Sequence, residues 1–407
     1  MASLVNAEIT EIRQAPAGLS GSAIMPLGVG LGLIGLAGAA GTVMGEMNRF
    51  WHAYLLGVMF VTSLGVGGLF FVIGHHLTGG RWATPVRRLA ELTASTLTTS
   101  FVLFIPIILM VLSGNSELYP WVDRQLVMSD PILSAKAIYL EPTWFAIRAC
   151  VYFGLWIWMA RTMLGMSVRQ DSDQPLKQAH RMQWWSGPMT LLYALSMNFA
   201  AFDWMMSLEP HWFSTMFGVY FFTGSFEGFL AATIVLAVYL HDRGILNQSI
   251  TTEQYHDLAK LMFAFIVFWG YIAFSQYMLI WYAAIPEETL WFDIRQQGGW
   301  ALWGLMLVVC HLLIPFLGAM SRSVRRNKKL IRFWALWMVV MHWADMVYII
   351  APQTRGAEVL PLPWMELMAT AGALGVFVWA WMTAASGKQL LPVQDPRLPI
   401  ALSYHNH

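Results

Sequence analysis

Residues 202–222 read FDWMMSLEPHWFSTMFGVYFF, and this stretch decides how the chain can fold. It closes one long apolar segment, turns within Leu208–His211, and opens a second apolar segment. Two carboxylates, Asp203 and Glu209, lie in or against these segments. A charged side chain near the centre of a bilayer costs about 2.5–3.5 kcal/mol. The position of Asp203 therefore indicates more than simple anchoring in a membrane.

The composition is that of a membrane protein. Of the 407 residues, 57% are hydrophobic and 12% are charged, whereas about 25% are charged in a soluble domain. Apolar runs of about 20 residues recur, and each is long enough to cross about 30 Å of hydrocarbon as a helix. We therefore expect an all-α polytopic membrane protein. The net charge of +1 argues against a nucleic-acid surface.

Ten apolar spans can be counted along the chain. The N-terminal residues before the first span lack a basic segment followed by an apolar core, so we expect no cleaved signal peptide. The spans lie near Ile24–Gly45, Phe50–Gly74, Leu92–Leu112, Thr143–Leu164, Trp184–Leu208, Trp212–Leu240, Asp257–Tyr282, Gly298–Met320, Lys329–Ile350 and Pro363–Ala385.

The distribution of Lys and Arg predicts the orientation of these spans. The connections after spans two, four, six and eight, counted with Arg161 and Lys329 at the adjoining span ends, hold 13 of these residues. The other connections hold 5, namely Arg49, Arg124, Lys136, Arg295 and Arg355. Because positively charged connections stay on the cytoplasmic side, both termini should be cytoplasmic.

The longest outward connection, Ser113–Pro142, has about 30 residues. A connection of this length is seldom a bare tether, so we expect a cap or a docking surface. The connection between spans five and six is very short. Those two helices must therefore be adjacent and antiparallel.

Polar residues recur at helical spacing within the spans, so each set should share one face. Span five carries Tyr193, Ser196, Ala200, Asp203 and Ser207. Span six carries Tyr220, Thr223, Glu227 and Ala231. Span seven carries Asp257, Lys260, Ala264, Tyr271 and Ser275. Span nine carries His342 and Asp345.

Titratable groups should occupy every level of the membrane, as a proton relay requires. In the expected orientation some lie near the inner surface, some near the middle and some towards the outside. The candidates for a proton path are Asp203, Glu227, His342, Asp345, His311, Asp257, Lys260 and Arg148.

Several of these residues also have structural interpretations. Asp257 and Lys260 fit a pair three residues apart at a helix end. Arg148 can extend to the headgroups or neutralise Asp203 or Glu366.

The two mid-span histidines, His311 and His342, also fit axial ligation of a haem b. The bulky side chains of Trp303 and Trp343 crowd that region and argue against a macrocycle there.

The two cysteines restrict the cofactors. Cys150 and Cys310 lie in apolar runs, and the sequence has no C-x-x-C or C-x-x-C-H motif. Covalent haem c and cysteine-ligated iron–sulfur centres are therefore excluded from this chain. The sequence also lacks a P-loop, a G-x-S-x-G motif and an H-E-x-x-H motif, so we assign no catalytic residue.

The opening stretch, Phe202–Phe222, and a second one, FWGYIAFSQYMLIWYAAIPEET at Phe268–Thr289, closely resemble the ActF subunits of bacterial alternative complex III. These complexes are quinol:electron acceptor oxidoreductases, and ActF belongs to the wider NrfD/PsrC-like membrane family. The ten spans and the loop at Ser113–Pro142 agree with this family along nearly the whole chain.

The resemblance implies two four-helix bundles, residues 92–240 with the outer loop 113–142, and residues 257–385. The helix pair of residues 24–74 would pack beside them, and residues 1–23 and 386–407 would be cytoplasmic.

The resemblance also implies a function and partners. The chain would be a supporting or proton-conducting subunit in the bacterial inner membrane, without metal or haem of its own. Other subunits, especially an ActC-like quinol-binding subunit, would accompany it, and haem c and iron–sulfur clusters would lie in partner subunits. Membrane lipids and a quinone are the small molecules expected at its surface, and nucleic acid is not expected.

Two other functions are alternatives. One is a quinol-oxidising subunit with its own quinone pocket, which needs a base and an apolar slot. The other is a secondary transporter, against which the spans lack paired Gly/Pro-broken segments in two matching halves.

Overall fold

The computed structural model describes residues 11–354 and 363–405, and in these residues the chain is helical with only isolated β-bridges. Part of the predicted N-terminal segment (residues 1–10), the end of the tail (residues 406–407) and Arg355 lie outside the described residues.

The helices begin and end close to the predicted spans. In chain order they start with α1 (Leu19–Ser22), α2 (Ile24–Met44), α3 (Met47–Leu77), α4 (Thr84–Ser95), α5 (Leu97–Leu112), α6 (Arg124–Ser129), α7 (Pro131–Lys136), α8 (Pro142–Gln170), α9 (Pro175–Trp204) and α10 (Phe217–Asp242). They continue with α11 (Thr252–Ala283), α12 (Pro286–Arg295), α13 (Gly298–Met306), α14 (Ile314–Ala319), α15 (Arg322–Arg326), α16 (Lys328–Ile350), α17 (Trp364–Ala385) and α18 (Leu398–Leu402).

Nine helical segments in the described part of the chain are long and apolar enough to cross a membrane. The predicted all-α class is therefore confirmed, and these nine segments match the length and composition expected of membrane spans. The helix that falls short by this measure is α9, whose first turns carry Lys177, His180 and Arg181. Its 30 residues would still reach across a bilayer by length.

Helix α3 lies at the centre of the molecule and packs against α17, α10, α4 and α9. Most of its residues are buried. A Cβ on Gly67 would lie 2.5 Å from the Cβ of Phe229, so the glycine lets α10 approach closely. The expectation of a helix pair beside the bundles therefore differs from the observed packing, since α3 is enclosed by other helices.

Helix α17 packs chiefly against α2 and α3. A Cβ on Gly30 would lie 2.6 Å from the carbonyl oxygen of Gly372, which shows how closely the backbones approach. Small residues at such a crossing are typical of membrane helix pairs. This packing differs from the expected four-helix bundle of residues 257–385, in which α17 would be the last member.

One end of the helical bundle is here called the basic end. It holds Arg87 and Arg88 of α4 and the C-termini of α3, α10 and α17. Arg87 bonds Glu91 at 2.9 Å and also Asp395, and Arg88 bonds Asp171 at 2.9 Å. These ion pairs connect α4 to α8 and to the C-terminal segment.

The opposite end, here called the Glu209 end, is covered by the long loop of residues 113–142. The loop contains a 3₁₀ turn, Pro120–Val122, and the short helices α6 and α7. The hydroxyl of Tyr119 donates to the carbonyl of Trp204 at 2.9 Å, and the ammonium of Lys136 donates to the carbonyl of Pro210 at 2.6 Å. The loop therefore covers the turn after α9, as predicted for a cap.

Candidate functional site

The polar stripes of α9 and α10 face the interior, whereas that of α11 does not. All the stripe residues predicted for α9 and α10 are buried. On α11 the side chain of Lys260 is 44% exposed and Tyr271 is 63% exposed. The face of α11 that is buried carries Trp269 and Gln276 instead. Most of the residues predicted to share a face of span seven therefore lie on the outer side of α11, although Asp257 is buried.

A buried group of polar side chains lies where α3, α10, α11 and α16 meet, together with a π-helical turn at Leu307–Leu313 between α13 and α14. We call it the central cluster. Its members are Ser63, Tyr220, Glu227, Trp269, His311, His342 and Asp345.

The pair formed by Glu227 and His311 is fully buried. His311 Nε2 lies 3.1 and 3.2 Å from the two carboxylate oxygens of Glu227. The imidazole stacks on the indole of Trp269, with ring centroids 3.8 Å apart and planes inclined by 12°. The carboxylate and the imidazole can therefore exchange a proton directly, because one hydrogen bond joins them.

The position of His311 follows from the π-helical turn that contains it. Pro315 has no N–H to donate to the carbonyl of residue 311. In the same turn, the carbonyl of the preceding residue, Cys310, accepts a hydrogen bond from the indole of Trp337 at 2.7 Å. Single π turns occur frequently at functional sites, and this one lies beside the buried carboxylate.

Asp345 receives two hydrogen bonds from neutral side chains. The hydroxyl of Tyr220 donates to Oδ1, and the indole of Trp269 donates to Oδ2 at 3.2 Å. Since Trp269 also stacks on His311, one aromatic side chain contacts both halves of the cluster.

His342 packs against two glycines of α10. Its Nε2 lies 2.8 Å from the hydroxyl oxygen of Ser63, whose proton can go to the carbonyl of Phe60 at 2.6 Å. A Cβ on Gly228 would lie 2.5 Å from the His342 ring, and one on Gly224 would lie 3.4 Å from Nδ1. The glycines therefore make room for the imidazole.

Two ring nitrogens in the cluster remain available. Nδ1 of His311 and Nδ1 of His342 are buried and have no hydrogen-bond partner among the described residues. A buried polar atom of this kind is commonly satisfied by water or by a transient donor. Each imidazole can therefore take or give a proton on the side away from its Nε2 partner.

The arrangement does not favour the haem interpretation. Nε2 of both His311 and His342 already contacts a protein side chain, so the rings serve hydrogen bonds in this geometry. Within residues 11–354 and 363–405, no three His, Cys, Asp or Glu side chains are grouped as a metal site requires.

Asp203 lies in a separate site towards the Glu209 end. Arg148 bonds both carboxylate oxygens, with Nε at 2.7 Å and Nη2 at 3.2 Å, and the hydroxyl of Tyr152 donates to Oδ2 at 2.9 Å. Arg148 therefore pairs with Asp203, which is one of its two expected partners. Glu366 lies 3.6 Å from Arg49.

Asp257 and Lys260 form a pair near the basic end. Their oxygen and nitrogen lie 2.6 Å apart, and the ammonium-bearing side chain is 44% exposed. This geometry matches the structural interpretation of a pair three residues apart in the first turns of α11.

A cavity of about 410 Å³ adjoins the central cluster between α11, α12, α13 and α16. Tyr220 and Trp269 form part of its wall, beside Gln276 and Arg295. Burial lowers the pKa of the Arg295 guanidinium to about 9, which leaves it protonated at neutral pH. Its three nitrogens donate to the carbonyls of Trp291, Tyr348 and Ile349.

Sequence reasoning found Glu227, His311, His342 and Asp345 but missed Ser63 and Trp269. Trp269 is one of many aromatic residues, and nothing in its spacing distinguishes it. Pro315, four residues after His311, was the available signal for an irregular turn.

A scan against protein-family models and a search of curated proteins found no match for this chain.

Proposed function

We propose that this chain is an integral membrane subunit of a quinol:electron acceptor oxidoreductase of the alternative complex III type, in which it conducts protons. The observation that carries the proton-conducting role is the central cluster. There the Glu227–His311 pair and the Asp345–Tyr220 pair both contact Trp269. The resemblance of the two quoted stretches supports membership of the complex.

The chemistry of the cluster suits proton transfer. Imidazole accepts and donates protons near neutral pH, a carboxylate accepts one, and a phenol can relay one through its hydroxyl. Buried ionisable groups within membrane helices are costly and commonly mark proton relays. In this proposal a proton passes between Glu227 and His311 by their hydrogen bond. Water completes the remaining gaps to Asp345 and His342.

The membrane arrangement is part of the proposal. We propose that α9 is a tenth crossing, because it runs between α8, α3 and α10 and has enough residues to span. The basic end would face the cytoplasm across a bacterial inner membrane. Asp203 would then lie towards the outer surface.

Partner subunits would supply the redox chemistry. The proposal assigns haem c and iron–sulfur clusters to them, and places an ActC-like subunit as the quinol-binding neighbour. A tagged chain purified from its own membranes should carry subunits with haem c absorption. Purification as a lone chain with transport activity would favour the transporter alternative.

The proton path is tested by replacing Glu227 with Gln and Asp345 with Asn in the reconstituted complex. Positioned proton donors and acceptors contribute about 10²–10⁴ to rates. We therefore expect the protons moved per electron to fall by about tenfold or more, while quinol oxidation continues. Glu366→Gln is the matched control, because Glu366 is an equally buried carboxylate outside the cluster. An unchanged proton-to-electron ratio in both variants would refute the relay.

A second candidate function is quinol binding by this chain itself. The cavity of about 410 Å³ is mostly apolar and reaches the two side chains that donate to Asp345. Such a cavity suits a flat quinol ring, whose hydroxyl can donate to the Tyr220 oxygen while Tyr220 donates to Asp345. A short-chain quinone should then quench tryptophan fluorescence in the purified chain, and Ala301→Phe, which fills the cavity, should abolish quenching. Equal quenching in both proteins would exclude this site.

A further inference from the structure

A second cavity lies away from the central cluster. It has a volume of about 550 Å³ and runs between α10 and α17 at the basic end. Its lining is almost entirely apolar, including Leu64, Phe229, Leu236 and Phe377. A dry apolar cavity does not attract ordered water, so an apolar occupant is the better match.

The length of the cavity corresponds to one leaflet of a bilayer. Along α10 its lining runs from Phe229 to Arg243, a separation of 14 residues or about 21 Å at 1.5 Å per residue. Half of the hydrocarbon core is about 15 Å. The cavity therefore reaches from the headgroup level to about the middle of the membrane.

The mouth of the cavity carries a positive charge. Arg243, which follows the last residue of α10, is exposed and lies over the ring of Tyr239 at 4.8 Å. The adjacent Asp242 is bonded by Arg332 at 2.7 Å. Among the described residues no ion pair of Arg243 is found, so its guanidinium can bind an external anion.

A second polar group lies slightly deeper in the same cavity. Trp381 lines it four residues before the end of α17. The indole nitrogen of this side chain is buried and has no hydrogen-bond partner among the described residues. An indole N–H is a donor only, and an ester carbonyl just below a phosphate is an acceptor at this depth.

The opening of the cavity faces sideways. Residues 13–15 are hydrogen-bonded to residues 388–390 across the basic end, through Ala15 N to Lys388 O at 3.0 Å and Leu390 N to Arg13 O at 2.8 Å. Ala15 and Leu390 line the cavity from that side. The exposed lining residues Tyr239 and Val378 lie on α10 and α17, so an occupant enters between these helices from the lipid.

We propose that this cavity binds one anionic phospholipid, with an acyl chain between α10 and α17, its phosphate on Arg243 and an ester carbonyl on Trp381. The proposal is independent of the proton-conducting role, because none of these side chains belongs to the central cluster. It requires only that the chain spans a membrane.

The test is native mass spectrometry of the protein, purified with any partner subunits, after delipidation and exposure to vesicles. We expect one retained phosphatidylglycerol per chain, with roughly fivefold preference over phosphatidylcholine from one interfacial arginine. Arg243→Gln should remove the preference, and Ala232→Phe, within the cavity, should remove retention. Excess inorganic phosphate should not displace the lipid, because phosphate alone has no acyl chain.

The matched controls are Arg181→Gln and Ala194→Phe, both exposed on α9 and away from the cavity. Both should bind lipid as the unaltered protein does. Unchanged selectivity in Arg243→Gln would overturn the headgroup assignment even if Ala232→Phe fails to fold. Displacement of the lipid by phosphate, or equal retention in Ala232→Phe, would overturn the acyl-chain assignment.

Discussion

Two regions of the molecule bury carboxylates in different company. Asp203 is held by the guanidinium of Arg148 and by Tyr152. Glu227 and Asp345 lie in the central cluster, where their partners are His311, Tyr220 and Trp269. All three carboxylates are almost completely buried, so burial alone does not distinguish the two regions.

The partners distinguish them. A guanidinium does not give up its proton in a protein, so Arg148 can fix a carboxylate but cannot pass a proton to it. An imidazole can do both. Asp203 therefore serves chiefly to connect α8 and α9, whereas the central cluster consists of groups that can exchange protons.

The largest expected effect on stability comes from removing the cation. In Arg148→Gln, Asp203 stays buried with only a neutral donor, and breaking a buried pair in this way costs about 3–5 kcal/mol. We expect a clear fall in the apparent melting temperature of the purified protein. The double variant Arg148→Gln/Asp203→Asn should recover part of the loss, because the carboxylate is then absent. A single variant as stable as the parent would show that the pair contributes little.

A smaller effect is expected from crowding the central cluster. In Gly228→Ala the added Cβ would lie 2.5 Å from the His342 ring, and overpacking typically costs about 1–3 kcal/mol. Thermal unfolding measures the loss. Gly154→Ala on α8 is the matched control, because a Cβ there meets nothing within 4 Å. Equal melting temperatures for the two variants would contradict the tight fit of His342.

Two tyrosines test the comparison directly. Tyr220→Phe and Tyr152→Phe each remove one hydroxyl that donates to a buried carboxylate, and each should cost about 1 kcal/mol. In the reconstituted complex we expect only Tyr220→Phe to slow proton translocation, because Tyr152 serves the site held by arginine. Slowing by Tyr152→Phe alone would reverse the assignment of the two regions and put Asp203 on the path.

The sequence was sufficient for the periodic features. Spacing alone predicted the inward stripes that contain Asp203 and Glu227, because burial of polar groups follows the helical period. On span seven the same spacing gave a shared face but not its direction. Lys260 and Tyr271 lie on the outer side of α11, from which long and amphipathic side chains can reach the membrane surface.

The contacts between helices were not accessible from spacing. The hydrogen bond between Ser63 and His342 joins residues 279 positions apart. The central position of α3 depends on where glycines such as Gly67 allow close approach. Local irregularity was also hidden: the π-helical turn that contains His311 has a carbonyl, that of Cys310, whose hydrogen bond comes from Trp337, 27 residues away.

The smallest expected effect concerns a second pair of an imidazole and a carboxylate, which is partly solvated, unlike the buried Glu227–His311 pair. At the Glu209 end, His211 Nε2 lies 2.5 Å from Asp130, and its Nδ1 lies 3.3 Å from Glu209. The hydrogen bond to Asp130 raises the pKa of His211 above its usual 6.5. The same bond lowers the pKa of Asp130 below its usual 3.8.

The signs of these two shifts define a pH window. The stabilisation that His211 contributes to the folded loop is fully present below about pH 6.5 and is lost as pH rises through its raised pKa. That of Asp130 is present above about pH 3.8 and is lost as pH falls through its lowered pKa. We therefore expect hydrogen exchange in residues 124–136 to quicken as pH rises through the raised pKa of His211, after correction for intrinsic rates. His211→Gln should remove that pH dependence while leaving the central cluster unaffected. Because the pair is solvated and screened, the change should be smaller than any of those above, and protection that is independent of pH would contradict it.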